Sequence, residues 1–327
     1  AVAGGVPPDI AWEAPEWFSD MYTEEVLVPI ETLATRDGHD TSSIWPGVWG
    51  TALDGRQWGY PFEIGSEAMI YNQDRFEEAG IARAPATWDE YLVMAKKLSN
   101  PEQSEFGIHP GYANYITVQW IWRNKGRLVS PDLTVATLTD PRTVDALQWY
   151  CDLETKHLVV GGSLESGTAA SIVVHSGWYA HVQRLHFAAG TAPAPIPVDG
   201  ERVSLSYYKE LVIFRTTNAR EEAAWTFIKW LMDPQRQAEW AIATGYLPIS
   251  RDVLGTGKYR AYLQQNPGLM PWIDELNYIR NFPASEAYNR ILGLFDQAIG
   301  QVRGGMPALT ALTALQTSAQ AILDESR

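Results

Sequence analysis

The chain has 327 residues, of which 46% are hydrophobic, and it carries a formal net charge of −14. A chain of this length and composition can fill two domains of ordinary size, each with its own buried core. The acidic balance excludes a nucleic-acid partner, because contacts to phosphates require a basic surface. No run approaches the roughly 18 apolar residues that a membrane span requires. The single cysteine, Cys151, excludes an internal disulfide, and its apolar surroundings in the sequence predict a buried small side chain.

Strands and helices alternate along most of the chain, and the helices are placed by their capping residues. A Thr-x-x-Glu box, an Asp-Pro pair, or an Asn with a Glu three residues later marks the start of an amphipathic stretch. Alternation of this kind predicts an α/β fold with parallel strands. In chain order, the predicted elements are a strand over 58–71, a helix over 87–98, a strand over 106–109, a helix over 140–156, strands over 171–175 and 210–214, a helix from Asn218, a helix over 233–245 and a last helix from Pro307.

Motifs for phosphate, metal or nucleophilic chemistry are missing from the sequence. The segment 255–258, GTGK, predicts a turn rather than a phosphate loop, because Tyr259 stands where a Ser or Thr would hold magnesium. Spacings of six and five residues keep His175, His181 and His186 from sharing one helix face. We therefore expect no metal site and no cofactor.

Aromatic residues stand out in the composition, with 14 Trp and 15 Tyr. Several Trp lie beside Gly, Pro and charged residues, where a flat apolar face with a polar edge suits a half-wetted contact. The carboxylate pairs Glu13 with Glu16 and Glu63 with Glu67 are compatible with a glycoside hydrolase. Solvated surface charge is the simpler interpretation of Glu16 and Glu67. A glycan-cleaving enzyme therefore stays open as one hypothesis.

Four stretches, in chain order, carry recognisable motifs. Each alone is a weak signal, but together they span nearly the whole chain. They are GVPPDI at 5–10 with LVPI at 27–30; DGRQWGYP at 54–61 with IYN at 70–72 and PATWDE at 85–90; GTAA at 167–170 with SGW at 176–178; and AWTFI at 224–228 with TGYLP at 244–248. The set resembles the extracellular solute-binding proteins of ABC importers, in the sugar-binding group related to maltose-binding protein.

The resemblance implies an α/β, two-lobe periplasmic-binding-protein-like fold of type II, with the ligand cleft between the lobes. Family members begin with a strand, a helix and a second strand before the segment that contains Pro-Asp, so we expect an N-terminal strand–helix–strand to be missing here. The implied division puts 1–62 plus 210–266 in lobe 1 and 66–205 plus 270–327 in lobe 2, with crossings near 62–66, 204–211 and 266–270.

The predicted strand over 58–71 contains Glu63, Gly65 and Glu67, where a buried strand should be apolar. In the family's architecture this strand crosses along the floor of the cleft. There a glycine lets a ligand approach the backbone, and a carboxylate accepts hydrogen bonds from hydroxyls. Glu63 is equally compatible with a buried partner for an arginine. Trp178 is similar in position to the family tryptophan that stacks on a sugar ring, with core packing as the alternative. The candidate ligand-binding residues are Trp12, Glu13, Trp45, Glu63, Gly65, Trp178, Tyr207, Tyr208, Tyr246 and Arg280.

The function that the resemblance implies is capture of a mono- or oligosaccharide outside the cytoplasmic membrane, in the periplasm or on a membrane-anchored protein. Closure of the lobes would bury the sugar, and the closed, monomeric protein would deliver it to an ABC transporter permease without altering it. Two alternatives remain. One is the glycoside hydrolase, and the other is a solute-binding protein for a non-sugar ligand, such as a glycerophosphodiester or a polyamine-like cation.

Overall fold

The computed structural model describes residues 4, 6–13, 21, 24–49, 52–53, 56–111 and 117–326. Its strands are β1 (Ile10–Glu13), β2 (Leu27–Val28), β3 (Ala52–Leu53), β4 (Arg56–Gln57), β5 (Gly59–Gly65), β6 (Glu67–Asn72), β7 (Ser171–His175), β8 (Ala189–Pro193), β9 (Ser204–Leu205), β10 (Tyr207–Phe214) and β11 (Ile279–Arg280). Its helices are α1 (Ile30–Asp37), α2 (Gln73–Glu78), α3 (Trp88–Lys97), α4 (Thr117–Arg123), α5 (Pro141–Thr155), α6 (Tyr179–Val182), α7 (Asn218–Leu231), α8 (Pro234–Thr244), α9 (Arg251–Gly255), α10 (Gly257–Gln265), α11 (Met270–Glu275), α12 (Glu286–Arg303) and α13 (Ala308–Glu325).

Contacts between Cα atoms divide the chain into two compact units. Unit 1 contains residues 1–66, 175–177 and 205–286, and unit 2 contains residues 67–174, 178–204 and 287–327. The assignment of these units to the predicted lobes stays a prediction.

The sequence prediction placed residues 175–177 and the stretch 270–286 in the second lobe. The structure groups both with unit 1. Ser66 Oγ donates to the carbonyl of Trp272 at 2.6 Å, and Asn281 Nδ2 donates to the carbonyl of Gly47. These bonds tie the stretch to the chain that precedes β6.

β10 is the central strand of the sheet in unit 1. It pairs antiparallel with β1, β2 and β5. The prediction of parallel strands is wrong for these pairs, because the ladders join segments far apart in the chain, whose relative direction the local sequence pattern does not determine. The apolar residues Leu27, Trp58, Val212 and Phe214 form a buried cluster on this sheet.

Unit 2 contains a sheet in the strand order β7, β6, β8, in which β6 and β8 run antiparallel. Three tryptophan side chains of unit 2 pack against one another. Trp88 stacks on Trp149 with ring centroids 4.0 Å apart and planes 12° apart, and Trp120 lies 5.5 Å from Trp149. The predicted strand over 106–109 makes only isolated bridges, from Phe106 and Ile108 to residues elsewhere in the chain.

Helix starts follow the capping chemistry closely. Thr87 accepts a hydrogen bond from the Glu90 amide at the start of α3, and Asp140 and Asp233 cap α5 and α8. The cap of α7 lies one residue earlier than predicted, at Thr217. These contacts confirm the helices that begin at capping boxes and Asp-Pro pairs.

Cys151 lies on the buried face of α5, with 1% of its surface exposed. Burial raises the pKa of its thiol to about 12. The prediction of a buried small side chain is confirmed. Within the described ranges, no helix has the length and apolar character that crossing a membrane requires.

Gly107 lies against the backbone of α3 and offers a test of this packing. A Cβ at position 107 would stand 2.4 Å from Ala95 Cα and 2.5 Å from the Ala95 carbonyl oxygen. We expect Gly107→Ala to lower the free energy of unfolding by about 1–3 kcal/mol, since helix backbone cannot move aside cheaply. Urea denaturation followed by circular dichroism measures this.

Gly293→Ala is the matched control, because Gly293 lies within α12 with no atom within 4 Å of an added Cβ. Alanine should stabilise that helix by about 0.5–1 kcal/mol. Equal effects of the two substitutions would contradict the close approach at Gly107.

Candidate functional site

An irregularity in the β5–β10 ladder decides which side chains share one face of the unit 1 sheet. Glu210 lies opposite Pro61, and Lys209 lies opposite Glu63, so β5 has one extra residue across this step. Side chains alternate between faces along a strand, and a β-bulge of this kind shifts the alternation by one residue. Glu63 therefore shares a face with Lys209 and not with Pro61.

Glu63 is a buried carboxylate beside the polar edge of an indole. It is 4% exposed, and Trp240 Nε1 donates to its Oε1 at 3.1 Å. Oε2 is buried and accepts no hydrogen bond from the residues that the structure describes. The carboxylate is thus enclosed by the fold, with the donors of Trp240, Tyr246 and Trp12 around it.

Burial raises the pKa of the Glu63 carboxyl above its ordinary value. Donors on Trp240, Tyr246 and Trp12 oppose this rise, because they favour the ionised form. The positive charge of Lys209 also opposes it, and burial outweighs them. Burial, together with the negative charge of Glu63, raises the pKa of the Tyr246 hydroxyl.

Helix α8 and the segment after it bring two aromatic residues to this carboxylate. α8 presents Trp240, which is 36% exposed. After the helix ends, the Leu247 amide donates to the Ile64 carbonyl at 2.8 Å. This bond holds the segment against β5 next to Glu63. Tyr246, the residue before Leu247, therefore lies near the same carboxylate.

Trp12 provides an exposed aromatic face next to the same carboxylate. It lies on β1 opposite Leu211 of β10, so it shares the sheet face of Lys209, two residues away. Lys209 Nζ lies 5.6 Å from the centroid of the Trp12 ring, whose residue is 49% exposed. We name this set the Glu63 cluster: Trp12, Glu63, Lys209, Trp240 and Tyr246.

Trp178 lies in unit 2, next to two histidines. Its ring stacks on His181, with centroids 5.0 Å apart, and meets the edge of His109 at 6.2 Å. Trp178 is partly exposed, which fits a stacking plate better than a core residue. The Nδ1 of His109 accepts a hydrogen bond from the Leu164 amide at 3.1 Å, and burial lowers the pKa of His109.

Trp45 was predicted as an aromatic plate, but the structure places it in the interior of unit 1. It is 4% exposed, and its Nε1 donates to the Pro248 carbonyl at 2.8 Å. The Arg251 guanidinium covers its ring at 4.9 Å. Both the polar edge and one face of the indole are used within the fold, so we leave Trp45 out of the proposed site.

The remaining predicted residues differ in how far they are buried. Gly65 is buried in β5, and Tyr208 is buried on β10 opposite Ile64. The side chain of Tyr207 lies outside the described part of the structure. Glu13 and Arg280 are partly exposed, on β1 and β11. A role in ligand binding stays a prediction for all of these residues.

Lys209 and Trp240 were missed from the sequence. Lys209 lies next to Tyr207 and Tyr208 in the predicted crossing. Whether it shares a sheet face with Glu63, however, depends on the bulge. Trp240 follows Glu239 on the outer part of an amphipathic helix, and an exposed Trp at that position was the available signal.

Unit 2 also contains a cavity of about 30 Å³, lined in part by Tyr91, His109, Trp120 and Tyr150. A volume of this size admits a water molecule. It is too small for a sugar ring, because ligand pockets have volumes of roughly 300–1,000 Å³. The cavity is therefore no alternative to the aromatic clusters as a sugar site.

The raised pKa of Glu63 makes a prediction about stability. The folded state holds a proton on Glu63 more tightly than the unfolded state, so this residue's contribution to stability is lost as pH rises from about 4.5, the ordinary value. Glu63→Gln lacks this loss and can still accept from Trp240. Its melting temperature relative to the wild type should therefore increase between pH 4 and pH 7, measured by calorimetry without ligand.

Glu78→Gln, on the exposed face of α2, is the matched control for loss of a carboxylate. A relative melting temperature of Glu63→Gln that stays flat or falls over this range would contradict the inferred cost of burying the ionised Glu63.

Two bacterial proteins are similar to the chain in sequence. A protein of Brucella abortus named as a binding protein is 22% identical over 270 residues, covering 77% of this chain and 64% of its own length. The sn-glycerol-3-phosphate-binding periplasmic protein UgpB of Yersinia pestis is 25% identical over 254 residues, covering 70% and 58%. The chain thus spans less than two thirds of the length of these relatives.

Two solved structures share the fold. UgpB from Mycobacterium tuberculosis in complex with glycerophosphocholine has a TM-score of 0.87 at 20% identity, covering 99% of this chain and 86% of that one. The cyclic alpha-maltosyl-1,6-maltose binding protein from Arthrobacter globiformis has a TM-score of 0.86 at 23% identity, with the same coverage. This likeness confirms the predicted α/β fold of the type II periplasmic-binding-protein class.

The sequence profile of one family, described as bacterial extracellular solute-binding protein, matches residues 1–270. The match covers most of the chain, and the relatives above are named as binding proteins and not as enzymes. The chain belongs to the bacterial extracellular solute-binding protein family.

Proposed function

We propose that this chain binds a carbohydrate outside the cytoplasmic membrane and delivers it, chemically unchanged, to the permease of an ABC importer. The observation that carries the proposal is the Glu63 cluster. An exposed indole, a buried carboxylate and a tyrosine hydroxyl lie together there.

The chemistry of a sugar matches this arrangement. A sugar ring has an apolar face of C–H groups and a rim of hydroxyls, so its binding site needs aromatic plates with polar groups around their edges. Trp12 offers the plate, and the Lys209 ammonium, 5.6 Å from the centroid of its ring, offers donors for a hydroxyl at the edge. Tyr246 adds a hydroxyl that can donate or accept.

Trp178 supports the proposal from unit 2. Its ring is partly exposed and is held in place by His181 and His109. A plate whose orientation is fixed before binding loses little entropy when a sugar stacks on it. Capture by closure of two lobes, action as a monomer and docking on a permease are what the family resemblance implies, and they stay predictions.

Two other functions are compatible with parts of the site. A glycerophosphodiester is favoured by two relatives: UgpB of Yersinia pestis is named for sn-glycerol 3-phosphate, and UgpB of Mycobacterium tuberculosis was solved with glycerophosphocholine. A glycoside hydrolase would need a pair of carboxyl groups about 5–10 Å apart across the bond to be cleaved. In the Glu63 cluster a single carboxylate is joined by aromatic residues and a lysine, which favours binding over cleavage.

A ligand panel tests the proposal. The purified chain is mixed with maltose, maltotriose, α-D-tagatose, ribitol, sn-glycerol 3-phosphate and glycerophosphocholine, and its melting temperature is recorded. A bound sugar stabilises the folded state by about 2.7 kcal/mol at a hundredfold excess over Kd, so at least one saccharide or polyol should raise the melting temperature. Chromatography of the same mixtures should show no shortened sugar, whereas cleavage products would support the hydrolase.

Removal of the unit 2 plate gives a second prediction. Trp178→Ala should weaken binding of the saccharide that gives the largest shift by about thirtyfold or more, since truncation of a central aromatic anchor costs about 2 kcal/mol or more. Titration calorimetry measures the affinity. Trp230→Ala, at an exposed tryptophan of α7, is the control and should leave the affinity unchanged. Wild-type affinity in Trp178→Ala would remove Trp178 from the site.

A further inference from the structure

The ring of Trp178 contacts two histidines that come from different segments of unit 2. His181 lies three residues further along the chain and stacks on the indole, with ring centroids 5.0 Å apart. His109 meets the indole edge to face, with centroids 6.2 Å apart and planes 85° apart. Because His181 and Trp178 lie within one turn of the chain, they move together. The contact to His109 is therefore the one of the two that orients the indole relative to the rest of unit 2.

The backbone of His109 is attached to the strand that leads to Trp178. The His109 amide donates to the Ser171 carbonyl at 2.7 Å, and the Ser171 hydroxyl donates to the Gly107 carbonyl at 2.7 Å. Strand β7 begins at Ser171 and ends at His175, three residues before Trp178. The imidazole of His109 is thus held close to the indole by the strand pairing of its own segment.

A hydrogen bond from a neighbouring loop fixes the imidazole itself. The amide of Leu164, a fully buried residue, donates to His109 Nδ1 at 3.1 Å. Since an amide N–H can only donate, Nδ1 carries no proton, and the proton of the neutral ring lies on Nε2. A ring protonated on both nitrogens cannot accept this bond, and the buried amide would then lose its acceptor.

The loop that contains Leu164 is closed by its own hydrogen bonds. The Ser163 amide donates to Thr168 Oγ1 at 2.8 Å, and the Ala169 amide donates to the Ser163 carbonyl at 2.9 Å. Leu164 therefore presents its amide from a fixed position. The ring of His109 that accepts from this amide is fixed as well.

The surroundings of His109 determine when its ring becomes protonated. Burial lowers the pKa of His109 below its ordinary value of 6.5, and the negative charge of Glu165 opposes this. His109 is therefore neutral at pH 7 and gains its second proton in more acidic solution. Glu165 also interacts with His181. Further ionisable groups line the cavity next to His109: Tyr91 of α3, Tyr150 and Glu154 of α5, and Arg303 of α12.

We propose that His109 is a positioning residue for Trp178: its neutral imidazole, held by the Leu164 amide, orients the indole for stacking on a solute, and protonation of His109 breaks that bond and weakens solute binding. This inference rests on the proposed function, since it takes Trp178 as the aromatic plate of unit 2. It gives solute binding a dependence on pH and assigns that dependence to a residue that the sequence motifs did not select.

Titration calorimetry of the full chain at pH 5, 6, 7 and 8 tests the inference. The probe is whichever of maltose, maltotriose, α-D-tagatose and ribitol gives the largest thermal shift. All four are uncharged over this range, so a change of affinity with pH belongs to the protein.

Three variants separate the roles of the two histidines. In His109→Gln the side-chain oxygen can accept from Leu164 but does not titrate, and in His109→Leu the side chain can do neither. His181→Gln removes the other histidine that contacts Trp178. The matched control is His157→Gln, at a partly exposed histidine after α5 whose pKa burial also lowers. Melting temperatures at each pH report whether each variant is folded.

The wild-type affinity should fall by about threefold or more between pH 7 and pH 5, because solute binding and protonation of His109 oppose each other. His109→Gln should match the wild type at pH 7 and bind more tightly than the wild type at pH 5. Glu63 titrates alike in both proteins, so the ratio of their affinities isolates His109. His109→Leu should bind about threefold or more weakly at pH 7 and share the pH profile of His109→Gln. His181→Gln and His157→Gln should keep the wild-type profile.

The outcomes separate this inference from the proposed function. A wild-type affinity that stays constant between pH 7 and pH 5 overturns the inference and leaves solute binding standing. A fall that persists in His109→Gln, or that disappears in His181→Gln, also overturns it, because another group would then be responsible. If His109→Leu does not fold, the profile of His109→Gln decides alone. A wild type that binds none of the probes contradicts the proposed function, and the inference fails with it.

Discussion

The placement of β10 at the centre of the unit 1 sheet is the constraint on which the candidate site depends. β10 pairs with β1 along one edge and with β5 along the other, so the register of two ladders fixes Trp12 and Glu63 relative to Lys209. Three residues from segments far apart in sequence become neighbours through backbone hydrogen bonds alone. The bulge between Lys209 and Glu210 then sets which face of the sheet they share.

Buried carboxylates impose a second constraint on the same sheet. Glu63 and Glu210 lie on adjoining strands, and both are almost fully buried. Gln57 Nε2 donates to Glu210 Oε1 at 2.9 Å, and Trp240 donates to Glu63. Burial of an ionised group is costly unless hydrogen bonds and opposite charge compensate. The polar side chains around this sheet therefore belong to the fold as much as to any ligand site.

Local chemistry made much of the fold predictable. The starts of three helices could be predicted from their capping residues, Thr87, Asp140 and Asp233. This is possible because a capping bond joins residues only two or three positions apart. The direction and register of β10 depend on partners more than a hundred residues away, and sequence periodicity carries no such information. The same limit explains the site. Trp12, Glu63 and Tyr246 were predicted and lie together, whereas Lys209 was missed because its face depends on the bulge. The bond from the Trp45 indole to the distant carbonyl of Pro248 was unpredictable for the same reason.

Cys151 has a practical consequence. It is the single cysteine of the chain, and its side chain is buried on α5. Its thiol therefore stays protonated at neutral pH. Maleimide and iodoacetamide reagents attack the thiolate of accessible cysteines. A cysteine introduced at any exposed position would thus be labelled selectively on the folded protein, so an environment-sensitive dye can be attached without first mutating the native sulfhydryl.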